Sequence, residues 1–431
     1  MPDSIEVRIE KLIYGGDGLG HSAGHTVFVP FVLPEELASI TPTERRKKFI
    51  RGRVERISEP SADRVAAPCP HFGICGGCNY QHIPYELQLR YKADILRETL
   101  SRLARITWEG TISTHESPAF SYRNRAQWKT EQTPGGSRAI GYYEAGSQKL
   151  CPVDDCPIVS PRVAEALSAI GSLVANNKLP ATLREVEAFA DAADAQLLFN
   201  LSFDSLEGGL EAIAETLRGE LANVDSILLQ DRRADKFALS GPGHIVYRVR
   251  DWTYQVGHLS FFQVNRFLIE ELVDTVLGDS RGGLALDLFA GVGLFTVPLA
   301  HRFQRVIGVE SNVAAARDLE ANLQQSGAAS PSFRQTDVES FLARWHDKPD
   351  LVVLDPPRAG VPPAALARIV KLDPATIAYL SCDPATLARD LAILAGTTEK
   401  PGRYLISEIH LLDVFPQTYH METLVRLSRR E

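Results

Sequence analysis

The sequence predicts an α/β protein whose largest part is a doubly wound, mostly parallel sheet, preceded by a small β-barrel and a central α+β region. Three observations carry this reading. From about residue 246 to 431, the apolar runs LALDLF, VIGVE, LVVLD and TIAYLS read as strands separated by helical segments. That alternation is the pattern of a parallel sheet covered by helices. Residues 1–57 are instead short β-like runs broken by YGGDGLGH (14–21), Pro30 and Pro34, which suits a small barrel. Between them, 58–245 holds clustered cysteines, a helix at YELQLRYKADILRETLSRL (85–103), and mixed strands and helices. There Ser160-Pro161 should cap a helix whose apolar face is Val163, Leu167, Ile170 and Val174, spaced by three and four.

At 431 residues the chain is long enough for two or three domains. Its 44% hydrophobic and 23% charged residues are those of a globular protein in water. No run approaches the roughly 18 uninterrupted apolar residues of a membrane span. The start MPDSIEVRIEK has no apolar signal core, so a cytoplasmic location without a membrane partner is expected. Six cysteines in such a chain suggest metal binding or catalysis rather than a disulfide scaffold. The formal net charge of −8 argues against an evenly basic nucleic-acid binder but leaves local patches open. The densest is TERRKKFIRGRVER (43–56), with seven Arg or Lys against two Glu. It reads either as a phosphate-contacting ridge or as a solvated strand face.

LALDLFAGVGLFTVPLA (284–300) is a buried strand, then Asp287, then a turn with Gly291 and Gly293, then a helix. Glycines there let the backbone approach a ligand at the helix start. Nineteen residues past Gly291 stands Glu310, at the end of the next strand, where a carboxylate can hold ribose hydroxyls. A dinucleotide site is the rival. Against it, Thr296 replaces the third glycine of that pattern, and Asp287 sets a carboxylate where a pyrophosphate would sit. A cationic ligand without phosphate, such as S-adenosylmethionine, fits better. Asp337 follows the third strand position, where it could meet the adenine amino group. LVVLDPPR ends the fourth strand with Asp355 and a stiff Pro-Pro loop.

In YLSCDPATLARD (379–390), Pro384 stops the strand and leaves Cys382 at its carboxyl end. That rim is where open α/β sheets bind ligands. By itself a free cysteine there reads as a small buried hydrophobe. CPHFGICGGC supplies Cys69, Cys75 and Cys78 at intervals of five and two residues, and CPVDDCPIVSP adds Cys151 and Cys156. Four thiolates bind zinc or an iron–sulfur cluster, and three clustered cysteines with a distant fourth suit a cubane.

With LFAGVGLFT, LDPPR, SCDPATLARD and HMETLVRL in one order, the chain resembles the RNA uracil-C5 methyltransferases. It is most similar to the branch that carries a TRAM domain and an iron–sulfur cluster and modifies 23S ribosomal RNA. The resemblance spans nearly the whole chain and implies a Rossmann-like methyltransferase domain using S-adenosylmethionine, a [4Fe-4S] cluster, and an RNA partner; a monomer is the default expectation, with nothing in the sequence to fix the oligomeric state. It implies that Cys382 is the nucleophile and Glu422 the base. It places Gln263, Phe289, Glu310, Asp337 and Asp355 against cofactor or target base, and makes Cys156 the fourth cluster ligand, leaving Cys151 unassigned. Leu294 and Asp383 depart from the pattern, where other members carry Asn, and Glu35 stands where the barrel pattern usually has Gly.

The chemistry explains the residue types. Uracil C5 is a poor nucleophile, and thiolate addition at C6 gives it carbanion character. Cys382 would supply that thiolate, favoured if electropositive surroundings lower its pKa. After methyl transfer the C5 proton must leave, which asks for a carboxylate such as Glu422. The base must leave its stack to be reached, and Phe261 or Phe262 could offer a stacking face. Arg123, Arg125 and Lys129 in SYRNRAQWK (121–129) could turn one strand face to RNA phosphates. Three rivals frame the reading: the same uracil-C5 methylation on transfer RNA, a methyltransferase for exocyclic amines, which needs neither Cys382 nor Glu422, and a non-enzymatic RNA-binding ribosome-assembly factor.

Overall fold

A computed structural model describes residues 4–133, 135–206, 209–329 and 331–431. Strands Ile5–Leu12, Asp17–Ser22, His25–Pro30, Leu37–Arg45 and Phe49–Glu59 close into a barrel, in the order first, second, third, fifth, fourth. Alternating residues face inward, and Val7, Ile9, Val27, Val29, Ile40 and Ile50 fill the interior. Gly20 allows the closure, since a Cβ there would lie 2.2 Å from the Arg8 carbonyl oxygen. Glu35, the departure from the expected glycine, adopts φ +70, the left-handed conformation that explains why glycine is usual there. The basic run folds as a hairpin whose tip, Arg45 to Lys48, is exposed.

The central sheet has seven strands, in spatial order Lys236–Ser240, Val224–Asp231, Leu197–Phe203, Leu183–Ala190, Arg125–Gln132, Arg138–Tyr143 and Leu150–Pro152. Helix Pro161–Ala175 packs on it as its periodicity requires: Val163, Leu167, Ile170 and Val174 are buried, and the Ser160 hydroxyl accepts from Val163 N. The helix at Tyr85–Thr99 passes into a wider turn at Leu100–Ala104, which Arg105 ends at φ +53.

The third sheet has eight strands, in the order Pro331–Gln335, Phe303–Glu310, Gly282–Leu288, Leu351–Leu354, Thr376–Ser381, Glu422–Arg429, Tyr404–Leu412 and Ile112–His115. The first five are parallel, as the alternation predicted. The chain leaves Gly282–Leu288 toward one edge and returns to its other side at Leu351–Leu354, so a topological switch point lies between those two strands. Glu422–Arg429 inserts antiparallel between Thr376–Ser381 and Tyr404–Leu412. The far edge comes from Ile112–His115, parallel to Tyr404–Leu412, and helix Tyr85–Thr99 shares this sheet's core through Leu89, Ile95 and Leu96. Among the described residues no helix is long and apolar enough to cross a membrane.

Candidate active site

Strand register builds the site. Leu288 pairs with Val309 on one side and Leu354 on the other, so Phe289, Glu310 and Asp355 emerge at one rim, beside the switch point. Phe289 turns with φ +67, a strained conformation of the kind that persists where surrounding structure enforces it. Gly291 (φ +55) and Gly293 (φ +93) follow, and a Cβ on Gly293 would come 2.7 Å from Leu319. Both oxygens of Glu310 are engaged: one accepts from Gly291 N at 2.8 Å, the other from Asn312 N at 2.6 Å. Glu310 therefore ties the glycine turn to the next helix start. Phe289, Glu310, Thr336, Asp337 and Pro362 line a cavity of about 140 Å³. Asp337 is exposed and caps the helix Val338–Arg344 through Ser340 N at 2.8 Å.

Asp287 is fully buried, with one oxygen accepting from the Thr296 hydroxyl at 2.5 Å and the other unpartnered. Thr296, which replaces a dinucleotide-type glycine, is thus the partner of that acid. Burial pushes the Asp287 carboxyl up to about 7, with Glu310 adding to the shift. Gln263 is buried in the segment between the hairpin His244–Gly257 and helix Ile269–Leu277. Phe262 beside it belongs to the core, whereas Phe261 is 66% exposed, so only Phe261 offers a free ring face.

The nucleophile candidate and the base candidate lie on neighbouring strands. Ser381 pairs with Thr423 in the antiparallel ladder, so the next positions outward are Cys382 and Glu422. Forty residues of sequence separate two side chains that the sheet sets across from each other. Asp383 then accepts from Ala385 N and Thr386 N, capping helix Pro384–Leu394, with Pro384 in its first turn. That capping role accounts for the side chain at the departure Asp383.

The electrostatics differ from expectation at Cys382. The thiol is pushed up to about 11, by burial first, then by Glu422 and Asp355, against the opposing effects of the Arg358 guanidinium and a backbone hydrogen bond. Its surroundings are acidic rather than electropositive, because the DPPR and HMETL loops bring two carboxyls and one guanidinium. Glu422 is 4% exposed and is held well above the usual carboxylate range by burial and by Asp355. Asp355 is raised by burial and by Asp287.

Cys69, Cys75, Cys78 and Cys156 line a cavity of about 380 Å³, which Arg358 and His420 also border. Burial pushes the Cys75 thiol up to about 11 and the Cys78 thiol up to about 12, with neighbouring thiols adding to each. Cys151 is buried with its sulfur 4.0 Å from His71 Nδ1. Among the described residues no three His, Cys, Asp or Glu side chains converge on one point as a single ion requires. The expected phosphate-facing strand is otherwise occupied. Arg125 pairs with Glu187 at 2.7 Å and Lys129 with Glu185, since strand Leu183–Ala190 sets Glu185 directly opposite Lys129 and Glu187 diagonally from Arg125.

Residues 84–430 match the family of tRNA (Uracil-5-)-methyltransferases. The chain belongs to this family. It is an RNA uracil-C5 methyltransferase that draws on S-adenosylmethionine. An uncharacterized RNA methyltransferase of Aquifex aeolicus is 33% identical, with 99% of each chain covered. The 23S rRNA (uracil(1939)-C(5))-methyltransferase RlmD of Alkalilimnicola ehrlichii is 31% identical over 99% of this chain and 97% of its own. The crystal structure of Pyrococcus abyssi tRNA (uracil-54, C5)-methyltransferase with S-adenosyl-L-homocysteine superposes with a TM-score of 0.76 at 26% identity, covering 98% and 99% of the two chains.

Sequence reasoning missed the supports of this rim. Lys92 and Asp413 form a wholly buried ion pair at 2.6 Å, and Lys92 also donates to the Phe415 carbonyl at 3.1 Å. Gln88, one turn earlier, donates to the Gln417 side chain and accepts from Gln417 N. The signal was present: two polar residues four apart on the buried face of the helix Tyr85–Thr99. Arg358 and His420, 3.3 Å apart, were also unassigned.

Proposed function

We propose that this protein methylates C5 of a uridine in 23S-type ribosomal RNA through a covalent adduct at Cys382. The observation that supports it is the placement of Cys382 beside Glu422 at the ends of paired strands. The Cys382 thiolate adds to C6, and its electron pair passes into the ring as an enolate. C5 then takes the methyl group from the sulfonium of S-adenosylmethionine, whose carrier leaves as the neutral thioether. Glu422 removes the C5 proton, and the ring electrons expel the thiolate. The acids fit this order. A sulfonium brought to a rim holding Asp287, Asp355 and Glu422 adds to the single guanidinium of Arg358, which lowers the cost of a thiolate at Cys382 and of the ionised Glu422 that the last step needs. Phe289, Glu310 and Asp337 are assigned to the cofactor, with Gly291 and Gly293 giving close backbone approach, and Gln263 and Asp355 to cofactor or base.

Cys69, Cys75, Cys78 and Cys156 are assigned to a [4Fe-4S] cluster. What supports the reading is a cavity of about 380 Å³ lined by four mutually close thiols, the donor set such a cluster takes. Held by these four residues, such a cluster would cross-link the central region, since methyl transfer moves no electron. Protein purified without oxygen should be brown and lose iron and sulfide when any of the four becomes Ser; stoichiometric zinc in a colourless, active preparation would refute this.

The reaction is tested with two variants. Cys382→Ala should form no covalent RNA complex. Glu422→Gln should add and methylate but release slowly, so a methylated protein–RNA adduct survives denaturing electrophoresis. Full turnover by Glu422→Gln would overturn the assignment. Mass-spectrometric mapping of 5-methyluridine in RNA from cells with and without the gene decides the substrate: loss from transfer RNA, the substrate of the archaeal relative, would replace the ribosomal reading.

A further inference from the structure

The turn between the first two barrel strands does not stand apart from the active site. Tyr14 lies in it, and its hydroxyl donates to Asp383 Oδ2 at 3.3 Å. Asp383 is the residue after Cys382, and its other oxygen holds Ala385 N and Thr386 N at the start of the helix that follows. The Tyr14 ring also meets Tyr419 edge-on, with centroids 5.5 Å apart at 90°. Tyr419 leans on His420 at 4.2 Å, and His420 is two residues from Glu422. The close fit is built by the backbone: Gly16 takes φ +91, and a Cβ there would come 3.2 Å from Asn79 and 3.3 Å from Tyr419. One side chain of the barrel therefore touches the loop after the nucleophile and the loop before the base. Tyr14 is half-buried and burial, with Asp383 beside it, raises its phenol above the ordinary range. It stays a neutral donor, and at 3.3 Å its hydrogen bond to Asp383 is a long one.

We infer that Tyr14 is a positioning residue for the methyl transfer: it fixes the Cys382 turn against the Glu422 loop, so the barrel is part of the catalytic apparatus as well as an RNA-binding module. This rests on the assignment of Cys382 as nucleophile. The hydroxyl orients Asp383, Asp383 orients the helix start, and the helix start sets where the Cys382 sulfur points. No contact between Tyr14 and RNA is required.

The test uses the full chain, S-adenosylmethionine, and a short oligonucleotide carrying 5-fluorouridine, whose C5 fluorine cannot leave as a proton and so traps the adduct. Tyr14→Phe keeps the ring against Tyr419 and removes only the donor. Its adduct should form about three- to tenfold more slowly, the factor for losing one ordinary hydrogen bond, with a melting temperature lowered by no more than a few degrees and unchanged affinity for the oligonucleotide. Equal rates for Tyr14→Phe and the parent protein would overturn the inference while leaving Cys382 in place. A parallel fall in RNA affinity would make Tyr14 an RNA contact and overturn it too. If the parent protein forms no adduct at all, the failure lies with the nucleophile assignment beneath it.

Discussion

The two ends of the eight-stranded sheet treat acidic side chains in opposite ways. At the carboxyl rim, Asp287 and Glu422 are buried and Asp355 partly so, no ion pair holds any of them among the described residues, and all three are pushed toward the neutral form. At the amino end, Asp373 collects Lys348, Arg403 and Arg429 within 3.0 Å and is held well below the usual carboxylate range. One end spends its charges on holding strands and helix together. The other leaves its acids uncompensated, an arrangement that costs stability and suits a site awaiting a cationic ligand and a proton to move. The rim's exception is Asp413, whose buried partner Lys92 serves the loop leading to Glu422.

That exception gives the largest expected effect. Lys92→Met should destabilise the chain by about 3–5 kcal/mol, because it strands Asp413 in the interior. Denaturant unfolding measures it, and a loss under about 1 kcal/mol would show that the rim tolerates an unpaired acid there as well. Next comes Asp287. Its folded pKa lies above the ordinary carboxylate value, so between about 4 and about 7 the folded chain binds more protons than the unfolded one. Stability of the parent relative to Asp287→Asn should therefore fall as pH rises through that window, by up to about 1.4 kcal/mol per unit. Paired melting curves would show it, and an opposite slope would mean the carboxyl is charged and stabilised. The smallest effect is at the other end. Asp373→Asn should cost about 1 kcal/mol, as for an exposed ion network. A depressed pKa contributes above the unfolded value, so that difference should be lost as pH falls below about 4. Persistence of the full difference in acid would remove the ion network as its cause.

What the sequence revealed follows the range of the interactions. The glycine turn, the Asp355-Pro-Pro loop, the strand-ending Cys382 and the Ser160 cap are local patterns, and each lies where a local reading put it. The phosphate-facing strand failed because the glutamates that neutralise Lys129 and Arg125, Glu185 and Glu187, lie on a neighbouring strand 56 and 62 positions away. The Cys382 environment failed for a related reason: whether a thiol's surroundings are acidic or basic depends on which loops converge on it. Lys92 and Asp413 are 321 positions apart, a separation over which only the polar residues on an apolar helix face hinted at burial. The Cys382–Glu422 pairing was legible as a conjunction of motifs, but its geometry depends on the antiparallel insertion of Glu422–Arg429, which no parallel-sheet pattern announces.

Ile112–His115 has a consequence for how the chain acquires its structure. This short strand closes the edge of Tyr404–Leu412 from nearly 300 positions upstream, Ile409 pairing with Ile112. Contacts of such sequence separation form late and slow folding. Until that strand arrives, Tyr404–Leu412 presents open backbone donors and acceptors beside the apolar side chains Ile409 and Leu411, a template for pairing with another copy. A fragment starting at residue 246 would hold the whole glycine turn, Cys382 and Glu422, and should still aggregate on expression, whereas one starting before residue 85 brings its own edge cover.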